Sequence, residues 1–190
     1  MVIEETNLKD CFVIIPHVFE DNRGYFFESF NKNKFKDITG KAVDFVQDNE
    51  SKSSKGVLRG LHFQIGAYEQ SKLIRVVKGR ILDVCVDLRK NEPSFGHYFS
   101  VELSDKNKKQ VFIPKGFAHG FLVLEDNTVI NYKCDNFYSK NHERGIIFND
   151  TDLNINWNDS PSDLVLSEKD KSLPTLSEYL NENKSFSNRG

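Results

Sequence analysis

Short β-prone runs separated by turn-forming residues recur along this chain and limit what it can fold into. The runs cover residues 11–15, 25–30, 43–47, 57–63, 73–77, 80–88, 97–103, 110–113, 120–124, 128–133 and 145–149. Turn formers such as those at 21–24, 78–79 and 104–107 lie between them. Many short strands at such spacing indicate a sandwich or barrel, including the jelly roll. The 16 phenylalanines also favour strands over helices. We therefore expect an all-β fold.

Helical periodicity is scarce. Residues 33–37 could form one or two turns, and residues 175–182 could form a short terminal helix. The chain has no internal repeat and no low-complexity linker. We expect one domain over residues 1–180, followed by a polar, frayed tail at 181–190.

The run at 80–88 has the clearest alternation in the sequence. In a strand, successive side chains point to opposite faces. One predicted face carries the aliphatic residues Leu82, Val84, Val86 and Leu88. The other carries Asp83, Cys85 and Asp87.

Composition excludes several classes of protein. The chain is 38% hydrophobic and 28% charged with a net charge of −2, as expected of a soluble globular protein. No basic footprint supports nucleic-acid binding, and no apolar stretch reaches membrane-spanning length. The N-terminus lacks the features of a secretory signal, so we expect a cytoplasmic protein. Cys11, Cys85 and Cys134 are widely spaced, which argues against a disulfide framework and predicts buried, reduced thiols.

Two histidines occur on strand-like segments. His62 lies in GVLRGLHFQ at 56–64, and the segment PKGFAHG at 114–120 brings His119 to the end of a second apolar run. The two imidazoles could line one pocket. Strand alternation predicts that Gln64 shares a face with His62, whereas Arg59 lies on the opposite face.

Other polar residues keep alternative interpretations open. Tyr132 could be a buried structural tyrosine or a phenol that faces His62 and donates a proton. Asp170 could cap a helix or orient a histidine. The chain has no glycine-rich phosphate loop, so arginines and lysines would have to hold a phosphate.

A metal site is a further alternative. The spacing of His62, Gln64, Glu69 and His119 is similar to the metal pattern of the cupin superfamily. In metal-binding cupins a histidine usually stands where this chain has Gln64, and glutamine is a poor ligand for a transition metal. We therefore expect no metal.

Together these residues resemble the dTDP-4-dehydrorhamnose 3,5-epimerase family of cupins, from about residue 21 to residue 170. The motifs include Asp-x-Arg-Gly-x-Phe-x-Glu at 21–28, Gln-Asp-Asn at 47–49 and Gly-Val-Leu-Arg-Gly-Leu-His-Phe-Gln at 56–64. Further motifs are Gln-x-Lys-Leu at 70–73, Ile-Pro-x-Gly-Phe-Ala-His-Gly-Phe at 113–121 and Leu-Ser-x-Lys-Asp at 166–170.

The resemblance implies a double-stranded β-helix, or jelly roll, with short peripheral helices. It also implies a homodimer that needs no cofactor and no metal. The implied activity is an epimerase that inverts C3 and C5 of a dTDP-4-keto-6-deoxyhexose. The expected substrate is dTDP-4-dehydro-6-deoxy-D-glucose, and the expected product is dTDP-4-dehydro-L-rhamnose.

The resemblance also implies roles for individual residues. His62 would be the proton-abstracting base, paired with Asp170. Tyr132 would reprotonate the sugar from the opposite face, and Lys72 would stabilise the enolate. The implied substrate-binding residues are Arg23, Glu28, Gln47, Asn49, Arg59, His119, Glu143 and Lys169. Because an N-terminal segment in such dimers commonly reaches into the partner, Arg23 and Glu28 are expected to serve the neighbouring site.

Three other functions remain as alternatives. One is an epimerase that inverts only C3 or only C5 of a related nucleotide sugar. Another is a metal-dependent cupin, and the last is a cupin that binds a sugar nucleotide without catalysis. The presence of His62, Tyr132, Lys72 and Asp170 together argues against the last, because a simple binder needs no proton acceptor and donor.

Overall fold

The computed structural model describes residues 1–157 and 164–187. In chain order, the strands are β1 (Val2–Glu5), β2 (Phe12–Ile15), β3 (Phe19–Asp21), β4 (Gly24–Phe26), β5 (Gln47–Ser53), β6 (Leu58–Gln64), β7 (Lys72–Lys78), β8 (Arg80–Asp87), β9 (Tyr98–Ser104), β10 (Gln110–Ile113), β11 (Phe117–Val123), β12 (Thr128–Cys134) and β13 (Glu143–Gly145). The α-helices are α1 (Lys32–Thr39), α2 (Glu168–Lys171) and α3 (Leu176–Ser187).

Most of these strands belong to one of two antiparallel sheets. The front sheet has the order β1-β2-β10-β7-β12-β5, and the back sheet has the order β13-β6-β11-β8-β9. Strands β3 and β4 pair separately as a hairpin. Because neighbouring strands are often distant in sequence, the chain passes repeatedly from one sheet to the other. This arrangement confirms the predicted all-β jelly roll with short peripheral helices.

Apolar side chains fill the space between the sheets and also cover both outer faces. Ile74 and Ile130 of the front sheet belong to the same core as Phe121 of the back sheet. The outer face of the back sheet carries a second core, to which Trp157 and Leu176 contribute. A third core, on the front sheet, includes Phe35 from α1 and Phe112 from β10. Both sheets are therefore shielded on their outer faces.

The alternation predicted for 80–88 is confirmed. Ile81 and Cys85 face the core between the sheets, whereas Leu82, Val84 and Val86 face the outer core of the back sheet. Both faces of β8 are buried because the C-terminal part of the chain covers the outer one. All three cysteine side chains are buried.

Some predicted boundaries were wrong. The run at 43–47 was expected to be a strand, but β5 begins at Gln47 and continues to Ser53 through polar residues. Alternate side chains along β5 are partly buried, so one face of this strand points into the protein. The run at 145–149 overlaps β13 only at Gly145, although Ile146 still exchanges backbone hydrogen bonds with Leu61 of β6.

Both predicted helices occur. The side chain of Asn31 caps α1 by accepting a hydrogen bond from the backbone N–H of Lys34, and Gly40 ends the helix with φ of +68°. Helix α3 continues to Ser187, past the start of the predicted tail at 181, since no glycine or proline interrupts it. The remaining tail residues, 188–190, lie outside the described residues. Within the described part of the chain, none of the helices has the length and apolar character needed to span a membrane.

Phe112 should matter most to the core of the front sheet. Its ring lies 5.1 Å from that of Phe35, and the residue is 1% exposed. Replacing Phe112 with alanine should lower the free energy of unfolding by about 3–5 kcal/mol because it leaves a cavity. Phe137→Ala, at a side chain that is 62% exposed, should cost far less. Denaturant unfolding measures both variants, and equal losses would contradict this packing.

Candidate active site

A polar cavity lies between the front and back sheets and is lined by residues of both. It has two adjoining lobes of about 330 and 320 Å³. His62, Lys72 and Tyr132 line both lobes. Gln47, Asn49 and Glu143 contribute to the first lobe only. Arg59, His119, Lys169 and Asp170 contribute to the second only.

The three shared residues approach the cavity from different sheets. His62 belongs to β6 of the back sheet, whereas Lys72 and Tyr132 belong to the adjacent strands β7 and β12 of the front sheet. Because the sheets face each other, the imidazole lies on one wall and the phenol and ammonium groups lie on the other.

The predicted orientation of Arg59 was wrong. Arg59 lines the cavity together with His62, although alternation places them on opposite faces. The pairs His119–His62 and Phe121–Arg59 enclose one more residue on β6 than on β11. Such a β-bulge reverses the facing of the residues beyond it. Gly60 lies within the bulge, where a Cβ would come within 2.6 Å of the Gly120 Cα.

His62 is held by a buried carboxylate. Its Nε2 lies 2.6 Å from Oδ1 of Asp170, which is 3% exposed. Asp170 could have been a helix cap or a partner that orients a histidine, and the structure favours the second. Ser167 caps α2 instead, since its side chain accepts a hydrogen bond from the Asp170 N–H. Burial lowers the pKa of His62, although the Asp170 charge opposes the shift. Because a carboxylate can only accept, Nε2 of the neutral ring donates a hydrogen bond to Asp170. The Nδ1 atom therefore carries no proton and remains available to accept one.

Burial also shifts the pKa values of the groups on the opposite wall. It lowers the pKa of Lys72 and raises that of Tyr132. The phenol therefore keeps its proton at neutral pH. Neither side chain has a hydrogen bond or ion pair with another described residue, which leaves the ammonium and the hydroxyl available to a ligand.

Glu143 joins the mouth of the cavity to α2. It accepts from the Lys169 ammonium at 2.5 Å and from the Tyr138 hydroxyl at 3.0 Å. Burial would raise the pKa of Glu143, but these two bonds outweigh it and hold the pKa below its ordinary value. The carboxylate is thus ionised and fixed in place.

A second histidine–carboxylate pair lies beside the first. Nε2 of His119 is 2.8 Å from Oδ2 of Asp83 on β8, and both side chains are buried. His119 is also the register partner of His62 across β11 and β6. Sequence reasoning placed Asp83 on one face of β8 but gave it no role. The sequence did contain a signal for Asp83, namely a carboxylate that lies between Ile81 and Cys85 on a buried face of a strand.

Comparison with known proteins identifies the family of this chain. The model of the dTDP-4-dehydrorhamnose 3,5-epimerase family matches residues 5–178. The dTDP-4-dehydrorhamnose 3,5-epimerase of Escherichia coli (strain K12) is 50% identical over 180 residues, which cover 95% of this chain and 97% of that protein. The chain belongs to the dTDP-4-dehydrorhamnose 3,5-epimerase family. It is therefore an enzyme of the isomerase class, as predicted.

Two solved structures agree with this membership. The crystal structure of the dTDP-4-dehydrorhamnose 3,5-epimerase from Elizabethkingia anophelis NUHP1 is similar with a TM-score of 0.89 and 52% identity, covering 93% of this chain and 96% of that one. The dTDP-6-deoxy-D-glucose-3,5-epimerase from Legionella pneumophila Philadelphia 1, in complex with dTDP-4-keto-L-rhamnose, has a TM-score of 0.89 and 42% identity, covering 92% of each chain.

Arg23 and Glu28, which were expected to serve the neighbouring site, lie away from the cavity of their own chain. Arg23, at the β3–β4 turn, contacts Asp21 at 2.5 Å and is largely exposed. Glu28 contacts Lys34 and Asn31. Neither lines the cavity formed by the described residues of this one chain.

Besides Gln64, the first lobe has lining residues that the sequence did not predict. Gln64 was expected to share the face of His62, and it does, where its side chain accepts from the Ser139 N–H. Tyr138, Cys134 and Gln70 also line the first lobe. Tyr138 follows β12 in a loop whose position depends on tertiary contacts, so strand periodicity gave no signal for it.

The described residues contain no group of three or more His, Cys, Asp and Glu side chains arranged to hold a metal ion. The Nε2 atoms of His62 and His119, which could otherwise be metal ligands, are directed at carboxylates.

The Asp170 charge should govern the titration of His62. NMR titration of the ring should give a pKa below the ordinary 6.5. Asp170→Asn should lower it further, because it removes a charge and a hydrogen bond that favour the imidazolium. Glu168→Gln, at an exposed side chain of the same helix, should leave it unchanged. A higher pKa in Asp170→Asn would contradict this electrostatic arrangement.

Proposed function

We propose that this epimerase inverts C3 and C5 of dTDP-4-dehydro-6-deoxy-D-glucose to give dTDP-4-dehydro-L-rhamnose, with His62 as base and Tyr132 as acid. The observation that carries the proposal is that these two side chains line one cavity from facing sheets. The names of the curated relatives and the ligand of the Legionella structure support the substrate.

The substrate suits a single base. C3 and C5 both flank the C4 ketone, so loss of either proton gives an enolate with its charge on the same oxygen. His62 accepts the proton at Nδ1, because Nε2 donates to Asp170. The Asp170 carboxylate fixes this tautomer and stabilises the imidazolium that forms.

Lys72 stabilises the enolate. An unaided imidazole is too weak a base for a carbon acid beside a ketone, since each pKa unit of mismatch costs about 1.4 kcal/mol. A preorganised donor at the developing oxyanion typically contributes about 10²- to 10³-fold in rate. The Lys72 ammonium has no bond to another described residue and so is free to serve the ketone oxygen.

Tyr132 gives its own proton to the carbon from the other side of the ring, while the abstracted proton stays on His62. Proton exchange with solvent then restores both groups. A single base that returned its own proton would tend to restore the original configuration. The phenol on the front wall retains its proton because burial raises its pKa. This hydroxyl therefore acts as the general acid on the face opposite His62.

The remaining polar groups bind the nucleotide sugar. Gln47, Asn49 and Glu143 serve the first lobe, and Arg59, His119 and Lys169 serve the second. Since the chain has no glycine-rich phosphate loop, the arginine and lysine cations hold the diphosphate.

The enzyme works as a homodimer in the cytoplasm. Arg23 and Glu28 lie away from the cavity of their own chain, on or next to a hairpin whose aromatic residues Phe19, Tyr25 and Phe26 are exposed. Packing of this hairpin against a second copy would bury these rings and bring Arg23 and Glu28 to the other site.

Incubation with dTDP-4-dehydro-6-deoxy-D-glucose in heavy water, followed by NMR, tests the reaction. Deuterium at both C3 and C5 with formation of the L-sugar supports double epimerisation. Deuterium at one carbon supports a single-centre epimerase instead. Deuterium at neither carbon, with the sugar nucleotide still bound, indicates a binding protein and overturns the proposal.

Substitutions separate the base from the acid. His62→Ala should abolish exchange at both carbons, a loss of about 10²- to 10⁴-fold if it supplies general-base catalysis. Tyr132→Phe should permit exchange but impair inversion. Tyr98→Phe, at a tyrosine outside the cavity, is the matched control and should behave as wild type. Normal inversion at both centres by Tyr132→Phe would refute the assignment of the acid.

Mixed dimers test whether Arg23 acts across the interface. His62→Ala and Arg23→Ala should each be weak alone. If Arg23 serves the partner's site, a mixed dimer has one complete site, and random mixing in equal amounts should restore about a quarter of wild-type activity. Absence of rescue, with mixed dimers shown to form, would place Arg23 at its own chain's site.

A further inference from the structure

Asp83 is a buried carboxylate without a fixed lysine or arginine partner among the described residues. It is 1% exposed and lies on β8 between Ile81 and Cys85, which face the apolar inter-sheet core. Its one hydrogen bond within the described structure is to Nε2 of His119. Burying a carboxylate is costly unless opposite charges and donors compensate, so this position needs an explanation beyond packing.

Asp87, four residues further along the same strand, provides a contrast. Its carboxylate accepts from Arg89 and from Ser94, and it lines neither lobe of the cavity. Asp87 is therefore a buried carboxylate with a complete local set of donors. Asp83 lines neither lobe either, but it bonds to His119, which lines the second lobe.

Two cavity groups interact with Asp83. It holds His119, which lines the second lobe with Lys72. It also raises the pKa of Lys72 and so opposes part of the lowering caused by burial, as Cys134 does. Asp83, on the facing sheet, is thus one of three groups, after Cys134 and with Glu143, that favour the charged form of Lys72.

We propose that Asp83 is a positioning residue of the epimerase, which fixes His119 through Nε2 and provides the negative charge that keeps Lys72 ready for the enolate oxygen. The inference rests on the proposed function and deepens it. Asp83 touches no substrate atom and acts only through the other two residues. Because Nε2 of His119 donates to Asp83, Nδ1 is the ring atom left for the sugar.

Other titratable groups surround Lys72, and they come from several elements of the cavity wall. Cys134 and Tyr132 lie on β12, His62 on β6, His119 on β11 and Glu143 on β13. Helix α2 adds Asp170 and Lys169 in the second lobe. Cys134, Asp83 and Glu143 raise the pKa of Lys72, and of these three Asp83 is the one bonded to a cavity histidine.

Asp83→Asn removes the charge and keeps the shape, with Asp87→Asn as the matched control. NMR titration of Lys72, labelled at Cε, should give a lower pKa in Asp83→Asn and an unchanged one in Asp87→Asn. This titration needs no turnover. It can therefore fail or succeed independently of the proposed function, which is tested by deuterium exchange with the wild-type enzyme. An unchanged Lys72 pKa in Asp83→Asn, or an equal fall in both variants, would overturn the proposal.

Kinetic measurements should also distinguish Asp83→Asn from Asp87→Asn. The kcat of Asp83→Asn should fall about 10- to 100-fold, the range found when outer partners of metal-bound histidines are removed. The basic limb of its kcat–pH profile should move to lower pH, because Lys72 loses its proton at a lower pH. Asp87→Asn should lower the melting temperature and leave both quantities near wild type. A loss of stability in Asp83→Asn with unchanged kcat and limb would show a purely structural role.

A measurement on the wild type keeps the proposal testable if Asp83→Asn does not fold. The ¹⁵N shifts of the His119 ring should show a proton on Nε2 at neutral pH. A ring protonated on Nδ1 alone, with Nε2 bare towards Asp83, would overturn the proposed hydrogen bond.

Discussion

Burial between the two sheets shifts the pKa values of three groups at the site, each towards its neutral form. His62 and Lys72 have lowered pKa values, and Tyr132 has a raised one. The effect suits His62 as a base and Tyr132 as an acid, but it works against Lys72, whose proposed role requires its charge. Carboxylates oppose this cost. Asp170 bonds to His62, while Asp83 and Glu143 act on Lys72 through their charges.

The jelly roll produces this environment because its facing strands carry both apolar core residues and polar residues that line the cavity. On β7, Lys72 lines the cavity while Ile74 belongs to the inter-sheet core. On β11, His119 lines the cavity while Phe117 and Val123 belong to that core. The same strands therefore provide the rigid core and the site, so the spacing between the walls is set by packing.

Sequence periodicity predicted those strands in which apolar residues alternate, such as β8 and β12. It missed β5, because Gln47 to Ser53 is polar throughout and its inward side chains face a polar cavity. It also placed Arg59 on the wrong face, since a β-bulge leaves no periodic signal and is seen only from the pairing with β11. The charged residues of the motifs were found through resemblance to a family. The contact between His119 and Asp83 joins residues far apart in sequence, and no local pattern predicts it.

The proposed mechanism requires the imidazole of His62 and the hydroxyl of Tyr132 to lie on opposite faces of one hexose ring. A crystal structure with a dTDP-linked 4-keto sugar or a stable analogue tests this requirement most directly. The expected result is a sugar ring between the two side chains, with its C4 oxygen towards Lys72. A sugar bound elsewhere, or with His62 and Tyr132 on the same face of the ring, would contradict the mechanism.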